Sequence, residues 1–174
     1  MKYDPDRHHR KSIRLKGYDY SQAGLYFITI CTQHQQCLFG HVAKGQMVMN
    51  EPGEMVAQQW HDLIHRFNQI ELHEFIVMPN HCHGIIEITV GVPLVGTPID
   101  AHTVTVGDIV GAFKSLTTNA YIKGVSQLGW EVFRNRLWQR NYYERIIRNQ
   151  EAYLRISEYI QNNPSKWQKD IHNA

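Results

Sequence analysis

β-branched and aromatic side chains crowd residues 24–32, GLYFITICT, which marks a strand. Residues 41–50, HVAKGQMVMN, read as a strand pair turned about Lys44-Gly45, a hairpin. In EPGEMVAQQWHDLIHRF the apolar residues Val56, Trp60, Leu63, Ile64 and Phe67 fall at helical spacing. Residues 70–78, IELHEFIVM, read as a strand. Pro79-Asn80 breaks it, and 83–90, HGIIEITV, begins another. Residues 91–106 carry Gly and Pro without a period and are expected to form a long loop.

A helix is expected over 107–123, with Ile109, Val110, Phe113, Leu116 and Ala120 on one side. Residues 136–147, RLWQRNYYERII, fit either a short strand entering a loop or a helix. A last helix over 149–163 stops at Pro164, because proline disfavours helical geometry at the residue before it. The order is strand, helix, strand, strand, helix, short strand, helix. That is the order of a split βαβ, ferredoxin-like α+β sandwich: an antiparallel sheet with helices on one face and a C-terminal helix.

Composition narrows the class. The 174 residues predict a single domain, 1–174, long enough to bury a core. No apolar run approaches the roughly 18 residues of a membrane span. The first twenty residues are charged and lack a signal-peptide apolar core, so the expected location is the cytoplasm, with no membrane partner. Cys31, Cys37 and Cys82 are odd in number and contain no CxxC pair, which argues against a disulfide framework or a cysteine zinc knuckle.

The net charge of +2 hides an uneven spread. Residues 1–20 form a basic arm that includes His8, His9, Arg10 and Lys11. Arg134, Arg136, Arg140, Arg145 and Arg148 form a second basic segment, interleaved with Phe133, Trp138, Tyr142 and Tyr143. Arginines for phosphates and aromatic rings for bases make up a single-strand nucleic-acid surface. A solvated charged face has the same composition, and Trp138 is expected to be buried.

The chemistry concentrates at NHCHGIIEI, residues 80–88. On a strand, His81 and His83 point to one face and Cys82 to the other. Two adjacent imidazoles can hold one divalent metal. In a chain of eleven histidines, two unrelated surface residues are the alternative. Further ligands are needed, and the last helix offers Tyr159 and Asn163, four apart on one face, flanked by the inward Ile156 and Ile160. Tyr121, Tyr142, Tyr143 and Tyr153 have Val125, Ile146, Ile147 and Ser157 at the same spacing, none of them a good ligand. A metal beside Tyr159 would polarise a phosphate, and a covalent phosphotyrosine would split one difficult step into two.

VMPNHCHGIIEI resembles the His-hydrophobic-His motif of single-tyrosine (Y1) HUH transposases, with Cys82 in the hydrophobic position. GAFKSLTTNAYI, LWQRNYYERIIRN and YIQNNPSKW are similar to segments of the REP-associated tyrosine transposases. The likeness runs from about Tyr26 to Trp167. It implies a ferredoxin-like fold with the histidine pair on a central strand. It also implies Mg²⁺ or Mn²⁺ held by His81, His83 and Asn163, with Tyr159 as the nucleophile that forms a 5′-phosphotyrosine on single-stranded or hairpin DNA. Lys114 and the five arginines would bind the DNA, in a monomer or a homodimer. Asn163 stands where insertion-sequence relatives often have Gln, one methylene longer. The rival readings are a non-catalytic regulator that binds hairpin DNA or RNA with a vestigial site, a nuclease that uses water, and a structural zinc protein.

Overall fold

The computed structural model describes residues 22–89 and 104–170. The basic arm 1–20 and residues 91–103 of the expected loop lie outside these. The chain runs through β1 (Gly24–Cys31), a 3₁₀ turn (Gln33–Gln35), β2 (Gly40–Ala43), β3 (Gln46–Met49), α1 (Glu51–His61) and α2 (Leu63–Arg66). It continues with β4 (Ile70–Met78), β5 (His81–Ile88), α3 (Val106–Leu128), β6 (Tyr143–Ile147), α4 (Gln150–Gln161) and a 3₁₀ helix (Pro164–Lys169). The main sheet has the order β4-β5-β1-β6, with every pairing antiparallel. Its two split units, β1–α1–β4 and β5–α3–β6, give the expected α+β sandwich. No helix among the described residues is long and apolar enough to cross a membrane.

The period-2 alternation of the strands divides the interior in two. Tyr26, Ile28 and Ile30 of β1 and Cys82, Ile86 and Ile88 of β5 join Trp60 of α1 and Phe113 of α3 in the larger core. On the opposite face, Ile85 and Ile147 meet Ile156 and Ile160 of α4, with Leu25, Phe27 and Ile76 packed around them. So α1 and α3 cover one face, and the C-terminal helix covers the other.

Local chemistry explains most boundaries. Lys44 and Gly45 both have positive φ, 51° and 74°, as a two-residue hairpin turn with the strand-matching twist requires. Thr105 and Asp108 form a reciprocal capping box, so the helix begins at Val106, inside the stretch expected to be loop. Gly129, at φ 72°, closes that helix in the left-handed conformation. The expected helix around Val56 breaks at Asp62, and the break rotates the turn that comes after it. Leu63 is buried, but Ile64 is exposed instead of facing the core.

On α3 the buried face runs through Ile109, Val110, Phe113, Thr117 and Tyr121 rather than through Leu116 and Ala120, which are half-buried. Thr117 is tolerated there because its hydroxyl donates to the Phe113 carbonyl at 2.7 Å and accepts from Trp138 Nε1 at 2.8 Å. Trp138 is buried, as expected. Residues 136–142 are mostly irregular before β6, which is a strand rather than a helix.

Gly84, next to the histidine pair, lies under the indole of Trp60. That ring is stacked on Phe75 at 4.3 Å and set edge-on to Phe113. A Cβ at Gly84 would collide with the indole. Neighbours on both sides keep the ring from moving away. Gly84→Ala should therefore destabilise the fold by about 2 kcal/mol through overpacking. A lowered urea midpoint with an unchanged slope would show it, and an unchanged midpoint would show that the indole can shift.

Candidate active site

His81 and His83 open β5, opposite Cys31 and Thr29 of β1. Both are buried, at 0% and 1% exposure, so they are not surface residues that happen to be neighbours. The turn before them is buried as well. The Asn80 carbonyl accepts from the Thr32 backbone N–H at 2.8 Å and from the Thr32 hydroxyl at 2.9 Å, and the Pro79 carbonyl accepts from Phe39 N–H at 3.0 Å.

The outer nitrogens of both rings are held. Asn80 Nδ2 donates to the Gln35 carbonyl at 3.2 Å, which fixes the amide so that its Oδ1 faces His81 Nδ1 at 2.8 Å. An amide oxygen only accepts, so His81 Nδ1 carries a proton, and its Nε2 is the atom left to take a further proton or a cation. His83 Nδ1 lies 2.8 Å from Thr29 Oγ1. The two Nε2 atoms then face each other at 3.1 Å. Between two such nitrogens there must be a shared proton or a cation.

The helix α4 brings the next groups. Asn149 caps its start by accepting from Ala152 N–H at 2.8 Å. Ile156 and Ile160 anchor it, as their spacing predicts. The Tyr159 hydroxyl stands 3.3 Å from His83 Nε2. Phe27 locates both rings, stacked on His83 at 5.4 Å and edge-on to Tyr159 at 6.1 Å. Burial pushes the Tyr159 phenol above its ordinary range and the Asp170 carboxylate adds to this, while a hydrogen bond from Asn163 pulls the other way. Asn163 is 1% exposed, and its Oδ1 is buried with no hydrogen-bond partner among the described residues. An orphaned, buried carbonyl four residues along the helix from Tyr159 is a candidate cation ligand.

One member of the site escaped the sequence reading. After Pro164 the 3₁₀ helix folds the chain back, and Trp167 stacks on His81 at 5.9 Å and 29°. Asp170 comes next. Its carboxylate and one ligand nitrogen from each of His81 and His83 lie within 4.8 Å of one another. The only signal in the sequence was an acid seven residues beyond Asn163, past the proline that stops the helix. Two imidazoles and a carboxylate form a mixed nitrogen–oxygen set that suits a divalent cation such as Mn²⁺ or Mg²⁺. Cys82 plays no part. It faces the other core, and burial drives its thiol far above the ordinary range.

A cavity of about 500 Å³ opens beside Tyr159 and His83, lined also by Phe27, Tyr143, Arg145 and Arg155. Arg145 reaches it because β6 sets it opposite Phe27. Arg155 is paired with Glu151 at 2.9 Å. Arg136 and Arg140 line a second, polar cleft with Gln33, His34 and Asn141, while Arg134 and Arg148 are exposed. Lys114 turns inward, and its ammonium donates to the carbonyls of Gln139, Arg140 and Asn141 at 2.8, 3.2 and 3.1 Å. Burial holds it down to about 8, and it fastens the loop that carries Arg140.

Comparison with known proteins adds three findings. A family model described as IS200-like transposase matches residues 27–163. An uncharacterized protein of Haemophilus influenzae is 45% identical over 179 residues, covering 97% of this chain and 96% of its own length. A solved structure of the REP-associated tyrosine transposase bound to a REP hairpin is similar in fold, with a TM-score of 0.60 at 18% identity. That match covers 88% of this chain and 74% of the other.

The hydroxyl behind His83 gives a clean test of how the pair is held. Thr29→Val keeps the shape and removes the Oγ1 contact. Affinity for Mn²⁺, measured by titration calorimetry, should fall about 10- to 100-fold, as is typical when a group that orients a ligand is lost. Folding stability should fall by only about 1 kcal/mol. Unchanged affinity would mean that Phe27 and Tyr159 suffice to orient the ring.

Proposed function

The chain belongs to the IS200-like transposase family, and from that premise we propose that it cuts and rejoins single-stranded DNA through a covalent bond to Tyr159. The observation that carries this reading is the Tyr159 hydroxyl, 3.3 Å from His83 Nε2 and at the mouth of a cavity large enough for a nucleotide. A phenol placed only for packing would have no need of a buried histidine pair and an orphaned amide oxygen beside it.

In the proposed reaction the Tyr159 oxygen attacks the scissile phosphorus and loses its proton. A bond forms between that oxygen and phosphorus, the P–O3′ bond breaks, and the departing 3′ oxygen takes up a proton. The product is a 5′-phosphotyrosine and a free 3′-OH. Attack by a 3′-OH reverses the step, so strands are joined without an external energy source. His81, His83 and Asp170, with the Asn163 carbonyl as a further candidate, would hold a divalent cation, which when bound would polarise the phosphate as a Lewis acid. The chain's own residues do the rest. Phe27 and the α4 anchor Ile160 fix the direction from which the hydroxyl approaches. The Asn163 amide pulls the Tyr159 phenol downward, favouring the phenolate that must form. Tyr159 stands over the histidine pair of its own chain, which supports cleavage in cis.

The basic residues suit a strand that passes the site. Arg145 and Arg155 offer phosphate contacts in the cavity, with Tyr143 and Phe27 as stacking surfaces. Arg136 and Arg140 extend the track into the polar cleft, Lys114 supports their loop, and Arg134 and Arg148 add charge at the flanks. Because the protein of similar fold is described bound to a REP hairpin, hairpin DNA is the substrate to try first.

Incubation with Mn²⁺ and hairpin single strands from the flanks of its own gene should give an adduct that survives a denaturing gel. Tyr159→Phe should abolish both adduct and cleavage while DNA binding persists. Cleavage by Tyr159→Phe would mean that water is the nucleophile, and an adduct mapped to Tyr142 or Tyr143 would overturn the assignment.

Arg145→Ala should weaken binding across sequences and flatten the log–log salt slope by about 0.7, the change expected for one lost phosphate contact on a single strand. An unaltered slope would place Arg145 outside the DNA track.

A further inference from the structure

A second polar cluster lies on the α4 face of the sheet, at the far end of β5 from the histidine pair. Glu87 is four residues beyond His83 on the same face, roughly 13 Å along the strand. Glu71 of β4 sits directly opposite Glu87. Two like charges in that position repel each other across the ladder. Just beyond Glu71 the register shifts between Leu72 and Phe75, and the resulting irregularity holds His73 and Glu74. His73 Nε2 comes to 2.9 Å from Glu87 Oε2. One ligand atom from each of Glu71, His73 and Glu87 lies within 4.8 Å of the others.

Two protons in this cluster can be assigned. Burial, then the bond to Glu74, raises the Tyr153 phenol above its ordinary range, so it keeps its proton. That proton is donated to Glu74 Oε2 at 3.0 Å, because a carboxylate can only accept. The same Tyr153 oxygen is 3.3 Å from His73 Nδ1. With its own proton committed to Glu74, the oxygen accepts, and His73 Nδ1 is the donor. Nε2 then faces a carboxylate oxygen 2.9 Å away, a contact that either a proton or a cation must bridge. A tyrosine held by a carboxylate and accepting from the far nitrogen is also the support a metal-bound histidine ordinarily has. A divalent cation would bridge Nε2 to Glu87 and would also remove the repulsion between Glu71 and Glu87.

We propose that Glu71, His73 and Glu87 form a second divalent-metal site, of the kind that takes zinc, separate from the His81–His83 centre. One imidazole and two carboxylates are ordinary zinc donors, and the side chains of His73 and Glu87 are 25% and 35% exposed, so water can complete the shell. The site links β4, β5 and, through Tyr153, the helix α4. Tyr153 is six residues before Tyr159, so an ion here would brace the helix that carries the candidate nucleophile.

The probe is Zn²⁺ alone, titrated into the full chain in a non-chelating buffer and followed by calorimetry and by NMR of the histidine rings. Wild type should bind two ions per chain. His73→Ala and the milder Glu87→Gln should each lose one ion, or weaken it at least tenfold, with circular dichroism unchanged. The His73 ring signals should move on addition of Zn²⁺ in wild type. If His73 is instead a protonated partner of Glu87, its signals will titrate with pH and ignore Zn²⁺, which overturns the site. Equal stoichiometry and affinity in wild type and both variants would overturn it too. Because the readout is ion binding, these results stand apart from whether Tyr159 cleaves DNA.

Discussion

Two imidazole nitrogens 3.1 Å apart, buried on a sheet face, set the terms for everything around them. Buried polar groups are costly unless every donor and acceptor has a partner. The fold meets that demand from three directions. Thr29 on β1 and Asn80 in the turn hold the outer nitrogens. Phe27, Tyr159 and Trp167 wall the rings off from water. Gln35 holds Asn80 in turn, so even the 3₁₀ turn after β1 takes part. The inner nitrogens are left facing each other, and a cation or a single proton must sit there. The site is thus the centre of a network that the sheet itself builds, not a cluster added to a finished surface.

The sheet lets this polar centre coexist with a large apolar core. Alternation along β5 sends Cys82, Ile86 and Ile88 one way and His81, His83 and Ile85 the other. The α1–α3 layer supplies most of the buried apolar area, and the α4 layer is small. A shift confined to α4 would therefore leave the larger core in place, which suits the role proposed for Tyr159.

Much of this was legible from residue order. Periodicity located the strands and the long helices, and the HxH spacing, with the Tyr159–Asn163 spacing, picked out His81, His83 and Tyr159, which the fold brings together in the candidate site. What escaped has physical causes. Asp62 breaks a helix without glycine or proline, so the exposure of Ile64 left no mark in the pattern. Thr117 hides its polarity in a bond to Phe113 and so took a core position that a hydrophobicity reading passes over. Asp170 depends on a reversal of the chain after Pro164, and no local pattern encodes where a reversed tail lands. Lys114 was expected on the DNA, since three backbone carbonyls converging on it are invisible in sequence.

Turns usually sit on the surface and tolerate changes in length. The Pro79-Asn80 turn does neither. It is buried, and Thr32 and Phe39 bond to it from outside. One residue gained or lost there would reverse the facing of β5, turning Cys82 toward Tyr159 and the histidines into the apolar core. The Lys44-Gly45 turn, exposed and in a separate two-stranded sheet, carries no such penalty. Across related chains, length variation should therefore gather at the Lys44-Gly45 hairpin and be absent from the Pro79-Asn80 turn. The spacing between β4 and β5 is in effect a reading frame for the site.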